Sequence, residues 1–348
     1  MNTARIVAIA SVFMVLGVWA VSRQLDPPPE LVSFSGATMG TRYSVKSPNL
    51  ELDWDTIALS VERELERING LMSTWIPDSE LSRFNRSRST DWIALSPDTH
   101  RVLAESIAMA DLSDGALDIT VGPLVDLWGF GPGRGNDGPT VVPDPDKLER
   151  LSELVGYHQL ELRDSPPAAR KSNPELQVDL SAVAKGFAVD RLTEMLTDAG
   201  AVDFLVDIGG ELRAAGSKAD GQPWRIAVEK PDSSARLPQQ VYPLVETGVA
   251  TSGDYRNYFE RDGQRYSHLI DPRSGRPVPQ TLASLTVFDR STMRADALAT
   301  AMLVMGAEEA LAFAETHQVP CLAILRSPEG LLVGRESSAL RRLSGGQP

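Results

Sequence analysis

The residues Asp179-Leu-Ser-Ala-Val-Ala-Lys-Gly-Phe-Ala-Val-Asp190 place an acid, a hydroxyl and a lysine around one helix start. The alternating run Leu176-Gln-Val-Asp179 reads as a short strand. Val189, Leu192 and Leu196 then share a helix face that Gly200 stops. Asp179 therefore falls at a strand end and Ser181 near a helix N-terminus, where free N–H groups and the positive dipole end suit an anion such as phosphate. Lys185, one turn in, adds a mobile cation. An acid beside an anion site normally repels the anion. That conflict disappears if Asp179 meets a base edge or ribose, or if a metal cation is present. The alternative is an N-capped core helix with a solvated lysine.

A second constellation is Asp296-Ala-Leu-Ala-Thr300. The i, i+4 spacing puts a carboxylate and a hydroxyl on one helix face, and both are hard oxygen ligands of the kind Mg²⁺ takes. An exposed polar stripe would look the same. The neighbours Ala295, Ala297, Leu298, Ala299, Ala301 and Met302 are apolar, however, and a carboxylate on a buried helix needs a partner. His268, between Ser267 and Asp271 at a strand end, has the near-neutral pKa of a general base for a hydroxyl. It reads equally as a hydrogen-bonded structural group. His100, His158 and His317 have no comparable company. The sequence has no G-x-x-x-x-G-K-[ST] loop, no G-x-S-x-G elbow and no Cys/His metal cluster. Gly133-Arg-Gly-Asn-Asp-Gly138 matches G-x-G-x-x-G in form only. It lies between Pro132 and Pro139 without the strand before and helix after that a dinucleotide fingerprint requires, so it reads as a loop.

The elements that must position these groups follow from periodicity. Leu31–Val45 reads as one strand interrupted by Gly36 and Gly40, and 55–70 as an amphipathic helix capped by Asp55 and stopped at Asn69-Gly70. Met72 to Asn85 reads as a polar loop holding Met72, Trp75 and Phe84, rings that serve a small core or stack on a ligand. Ser96-Pro97 opens a helix running to about Ser113. A helix is expected over 143–155, a strand over 159–162 and a surface loop over 166–174. Asp203 to Ala215 reads as strand, Gly209-Gly210 bend, strand. Further strands are expected at 224–228 and 282–288, a loop at 231–238, a hairpin over 259–270 turning at Asp262-Gly263, helices at 293–305 and 307–317, and two strands around 328–330. Strands and helices are interspersed without strict alternation, which predicts an α+β fold of mixed sheets with packed helices.

The 348 residues allow one large domain or two modest ones, and 42% hydrophobic with 6% aromatic residues supply an ordinary core. The formal charge of −13 argues against nucleic acid as partner. It also means that any phosphate held here needs local lysine, N–H groups or a metal. Arg5 precedes an apolar run from Ile6 to Val21, with Val18-Trp-Ala20 as a cleavage site. Residues 1–25 thus read as a signal peptide or an N-terminal membrane anchor. Residues 26–30 read as a Pro-rich linker, 31–340 as the folded domain and 341–348 as a disordered tail. No Cys follows the apolar run, so lipid attachment there is excluded, and Cys321 reads as a buried strand thiol.

Taken together, these stretches resemble the FAD:protein FMN transferase (ApbE) family. The resemblance rests on Met39-Gly-Thr41, Met72-Ser-Thr-Trp75 with Asp78-Ser-Glu-Leu-Ser82, Gly115-Ala-Leu-Asp118, Asp179 to Asp190, Asp207-Ile-Gly-Gly210, Thr251-Ser-Gly-Asp254, His268-Leu-Ile-Asp-Pro272 and Asp296-Ala-Leu-Ala-Thr300, in family order. It implies an ApbE-like fold with the flavin site in a cleft between two lobes. It also implies an exported, Mg²⁺-dependent flavin transferase on the periplasmic side of the inner membrane. Such an enzyme cleaves FAD, joins FMN by a phosphoester to a Thr or Ser of a partner protein and releases AMP. The partner would be a membrane redox-complex subunit. By match to family motifs, Met39, Trp75, Ala116, Leu117, Asp118, Asp179, Lys185 and Ile270 would line the FAD site. The Ala182 carbonyl, Asp296 and Thr300 would hold the metal, with His268 and Asp296 as catalytic groups. Many family members are lipoproteins, whereas this chain lacks the cysteine. The central motif usually has glycines where Ser181 and Ala182 stand. Two other readings use the same residues: an FAD pyrophosphatase, with water replacing the protein hydroxyl, and a non-enzymatic periplasmic FAD carrier.

Overall fold

The computed structural model describes residues 30–131, 142–231, 238–254, 258–261, 264–278, 281–327 and 330–344. The expected signal or anchor, almost all of the linker, the loop at Gly133–Gly138, the turn Asp262-Gly263 and residues 345–348 lie outside them. No helix among the described residues is long and apolar enough to cross a membrane.

The main sheet has eight strands, all antiparallel, in the order β1 (Val32–Thr38), β2 (Thr41–Ser47), β6 (Phe204–Ile208), β7 (Glu211–Ala215), β10 (Thr247–Gly253), β15 (Leu282–Asp289), β16 (Cys321–Arg326) and β17 (Leu332–Glu336). The expected single strand over 31–45 is the hairpin β1–β2 instead. Met39 and Gly40, at φ 49° and 70°, form its turn, a left-handed pair that closes a two-residue hairpin. The Gly209-Gly210 bend between β6 and β7 is as the sequence indicates, with both glycines at positive φ.

One face of this sheet is covered by helices α1 (Trp54–Met72), α6 (Ala184–Asp198) and α7 (Thr292–Met305), which carry the principal core. The other face carries the hairpin β8 (Trp224–Glu229)–β9 (Pro238–Leu244), with Trp224, Tyr242 and Leu244 packed on Val249, Phe288 and Leu322. Strand β15 is consequently buried on both faces. Cys321 lies buried at the start of β16, and burial pushes its thiol up to about 11.

Asp53, not Asp55, caps α1, through Thr56 N–H, and Asn69-Gly70 lies inside the helix. The expected loop after Met72 contains α2 (Glu80–Arg86), capped by Ser79, and its own Phe84 is buried. Helix α3 (Pro97–Leu112) has the Ser96 cap and Pro97 start that the sequence specifies. After it come the short α4 (Gly122–Leu127) and α5 (Pro145–Ser152). The loop expected at 166–174 contains a strand, β5 (Pro167–Lys171), between β3 (Ile93–Ala94) and β4 (Leu160–Asp164). Its Ala168, Ala169 and Lys171 are buried, so this segment is paired rather than solvated. Residues 176–179 form no strand. They are extended but pinned one by one: Asn85 bonds both the N–H and the carbonyl of Val178 at 2.8 Å, and Asp179 N–H reaches Ile119 O at 2.7 Å. Helix α8 (Ala307–His317) leads into β16, and α9 (Ser338–Leu343) continues past residue 340, where the sequence placed the end of the domain.

Candidate active site

A cleft of about 860 Å³ opens where the β6–β7 bend, β10, α6, α7 and the segments 116–131, 177–185 and 268–272 converge. Its charged floor is built by the contact of α6 with α7. Gly186 permits that contact, because a Cβ there would stand 2.4 Å from Thr292 O and 2.7 Å from Met293 Cα. The start of α7 is held from α6 as well. The Asp190 carboxylate accepts from Thr292 N–H at 2.8 Å, Met293 N–H at 3.1 Å and the Ser291 hydroxyl at 2.7 Å, capping the helix from a distant residue.

Asp296, 2% exposed, faces Lys185, whose Nζ lies 3.3 Å from Oδ2 and 3.4 Å from Oδ1. The same ammonium lies 3.4 Å from Oε1 of Glu211, the first residue of β7. Burial opposes the lysine's charge, yet Asp296 and Glu211 outweigh it and hold Lys185 above its ordinary pKa. Burial raises both carboxyls against the stabilising pull of Lys185. Two acids therefore share one cation in a poorly solvated place. Oε2 of Glu211 has no hydrogen-bond partner among the described residues.

The Gly186 N–H donates to Asp296 Oδ2 at 3.0 Å. Gly186 is among the first residues of α6, whose N–H groups have no partner within the helix, and Ala182 lies just before the N-cap Val183, lining the cleft outside the helical ladder. One N–H of the helix N-terminus is thus spent on Asp296. Thr300, one turn beyond Asp296, lines the cleft and exchanges a 3.1 Å hydrogen bond with the hydroxyl of Ser252 on β10.

Asp179 lines the cleft with Oδ1 accepting from Ser181 N–H at 2.8 Å and its hydroxyl at 2.5 Å. Ala116, Leu117 and Asp118 form another stretch of wall. The Asp118 carboxylate is already engaged by Thr120 N–H and hydroxyl and by Tyr157 N–H, which organise this loop, and burial raises its pKa. Trp75 stands at the mouth, 71% exposed. Ile270 is buried in β13 (Ile270–Asp271), beside Trp128 and Tyr266. His268 also lines the cleft, its ring 6.3 Å from that of Phe130 in an edge-to-face arrangement.

The structure thus brings Trp75, Ala116, Leu117, Asp118, Asp179, Ala182, Lys185, His268, Ile270, Asp296 and Thr300 to one cleft. Met39 is placed differently, in the β1–β2 turn against the main core. Its near neighbour Thr41 packs on Gly209, which does line the cleft. Sequence reasoning missed Glu211 and Asn85. The available signal for Glu211 was an acid directly after a Gly-Gly bend, at the start of a strand.

No group of three or more His, Cys, Asp or Glu side chains stands ready for a metal among the described residues. A divalent ion would draw instead on Asp296, the Thr300 hydroxyl, main-chain oxygen and the ligand's own oxygens. The Ala182 main chain ahead of α6 and the unpartnered Glu211 oxygen, both at the cleft, fit such a hard, oxygen-rich set.

Fold and site define an α+β domain with a nucleotide-sized cleft above an ionic floor. The chain belongs to the ApbE family, whose model matches residues 39–323. It is 44% identical to the FAD:protein FMN transferase of Vibrio cholerae serotype O1 over 328 residues, 93% of this chain and 94% of that one. It is 40% identical to the FAD:protein FMN transferase of Haemophilus influenzae, with 97% of each covered. The solved structure of the flavin transferase ApbE from Vibrio cholerae superposes with a TM-score of 0.82 at 43% identity, covering 90% of this chain and 99% of that one.

Proposed function

We propose that this protein is an FAD:protein FMN transferase that uses Mg²⁺ to move FMN from FAD to a Thr or Ser hydroxyl of an acceptor protein, releasing AMP. The observation that carries the reading is the floor of the cleft: Lys185 bracketed by Asp296 and Glu211, with the Thr300 and Ser252 hydroxyls alongside. A passive FAD carrier has no need of this buried charge. The volume is at the upper end of small-molecule sites, as a dinucleotide requires.

In this reading the hydroxyl oxygen of the acceptor attacks the flavin-side phosphorus and the bond to the AMP phosphate breaks. His268 takes the hydroxyl proton. Lys185 offsets charge on the pyrophosphate, and Trp75 offers a ring face to one of the two aromatic ends of FAD. Asp179 stands where a base edge or ribose can be met. Asp296, the Thr300 hydroxyl and the Ala182 carbonyl would hold Mg²⁺, which would supply charge neutralisation for the phosphates. Water excluded by the acceptor segment is what separates transfer from pyrophosphatase activity. Residues 1–25 would export the domain to the periplasmic side of the inner membrane, where the acceptor would be a membrane redox-complex subunit.

The test is mass spectrometry of a Thr-containing acceptor peptide incubated with the full chain, FAD and Mg²⁺. The expected result is a mass gain of one FMN residue, abolished by chelator and by Asp296→Ala. Free FMN and AMP with an unmodified peptide would favour a pyrophosphatase. Intact FAD would leave a carrier.

A further inference from the structure

We infer that Glu211 is a second carboxylate of the divalent-cation site, and that the Lys185 ammonium and the divalent ion compete for the same pair of acids, Glu211 and Asp296. The inference rests on the magnesium-dependent reading above and extends its ligand set. Its first support is charge. Two carboxyl groups face a single ammonium, so the floor supplies no net positive charge to meet an anionic pyrophosphate. Its second support is a buried group without a role: the Glu211 side chain is 5% exposed, yet Oε2 has no partner among the described residues although the residue lines the cleft. Buried carboxylate oxygens are ordinarily satisfied, and an orphan calls for a ligand.

The third support is geometry. Lys185 Nζ lies 3.4 Å from Glu211 Oε1 and 3.3 Å from Asp296 Oδ2, so a single point charge reaches both acids. The lysine springs from the first turn of α6 and remains 28% exposed, which leaves its flexible stem room to move toward a phosphate. Glu211 opens β7 and pairs with Ile208 of β6, so its backbone is held in the sheet. Its position at the start of β7 places it across from α7, which carries Asp296 and Thr300.

The experiment is a Mn²⁺ titration of the full chain, read by electron paramagnetic resonance of the free ion, with and without FAD. Glu211→Gln keeps the shape and removes the charge, and it is expected to weaken Mn²⁺ binding at least tenfold. Lys185→Gln removes the competitor and is expected to tighten Mn²⁺ binding several-fold in the absence of FAD. Merely structural roles would move neither constant in these opposite directions. Unchanged Mn²⁺ affinity in a folded Glu211→Gln overturns the inference while leaving the transferase reading intact. Should that variant fail to fold, unchanged or weaker Mn²⁺ binding by Lys185→Gln overturns it instead. A wild-type chain that binds no Mn²⁺ even with FAD removes the metal from the transferase reading, and the inference falls with it.

Discussion

Lys171 is fully buried, and its ammonium donates to the main-chain oxygens of Asn85 at 3.1 Å and Leu176 at 3.0 Å, with the Phe84 ring 5.2 Å away. It ties α2 to the extended segment whose next residues, Gln177 to Asp179, wall the cleft. Burial, with a smaller contribution from Arg88, pulls its pKa from 10.5 to about 8. The depressed value means that the charge costs stability wherever both states carry it, below about pH 8. Between there and 10.5 the unfolded chain keeps the proton and the folded chain sheds it, so stability from this site rises with pH. Lys171→Met abolishes that dependence. The difference in unfolding free energy, wild type minus variant, should therefore grow between pH 7.5 and 10, on the order of 2–3 kcal/mol at most. Urea unfolding at the two pH values measures it. A difference that shrinks would show that the lysine is not buried as a cation.

At the level of elements, the site depends on how closely α6 approaches α7. Gly186 is the contact point, and its N–H is also a bond to Asp296. In Gly186→Ala the added methyl meets backbone rather than a yielding side chain, so the helices must separate. Overpacking of this kind costs about 1–3 kcal/mol. Because the displaced group carries Asp296, we expect FAD turnover to fall by about tenfold or more, beyond what the lost stability explains. Comparing turnover and unfolding in Gly186→Ala with those of an alanine variant at the exposed Thr197 separates the two effects. The sequence displayed part of this arrangement. The i, i+4 pair on an otherwise apolar α7 was legible because a helical period is local, and so was the strand–bend–strand around Gly209-Gly210. Residues 176–179 were misread as a strand because alternation looks the same whether the partner is a sheet or a single asparagine side chain. Strand β5 was missed because Pro166, Pro167 and Pro174 suggest a loop, while its pairing with β3 and β4 is set by burial of Ala168, Ala169 and Lys171. The hold of Asp190 on the first N–H groups of α7 and Glu211 as a floor residue exist only through contacts between segments far apart in the chain.

For the whole molecule, charge decides what the cleft can hold. The chain carries −13, the floor of the cleft adds no net positive charge, and the walls come from segments scattered between residues 74 and 304. A ligand that joins those segments binds the folded chain alone and must stabilise it by mass action. At a hundred times its dissociation constant the gain is about 2.7 kcal/mol. For a domain of this size that corresponds to a rise in Tm of about 5 °C. An anionic dinucleotide entering an acidic cleft needs its charge met, and Lys185 is already shared by two carboxylates. FAD with Mg²⁺ should therefore give the full shift, and FAD with chelator only a small part of it. Mg²⁺ alone should give little, since the phosphates complete its oxygen shell. Thermal unfolding of the full chain under these three conditions measures the coupling between nucleotide and ion. Equal shifts with and without chelator would mean that Lys185 and the cleft's hydrogen-bond donors bind the pyrophosphate unaided, leaving the cation a role in chemistry rather than in binding.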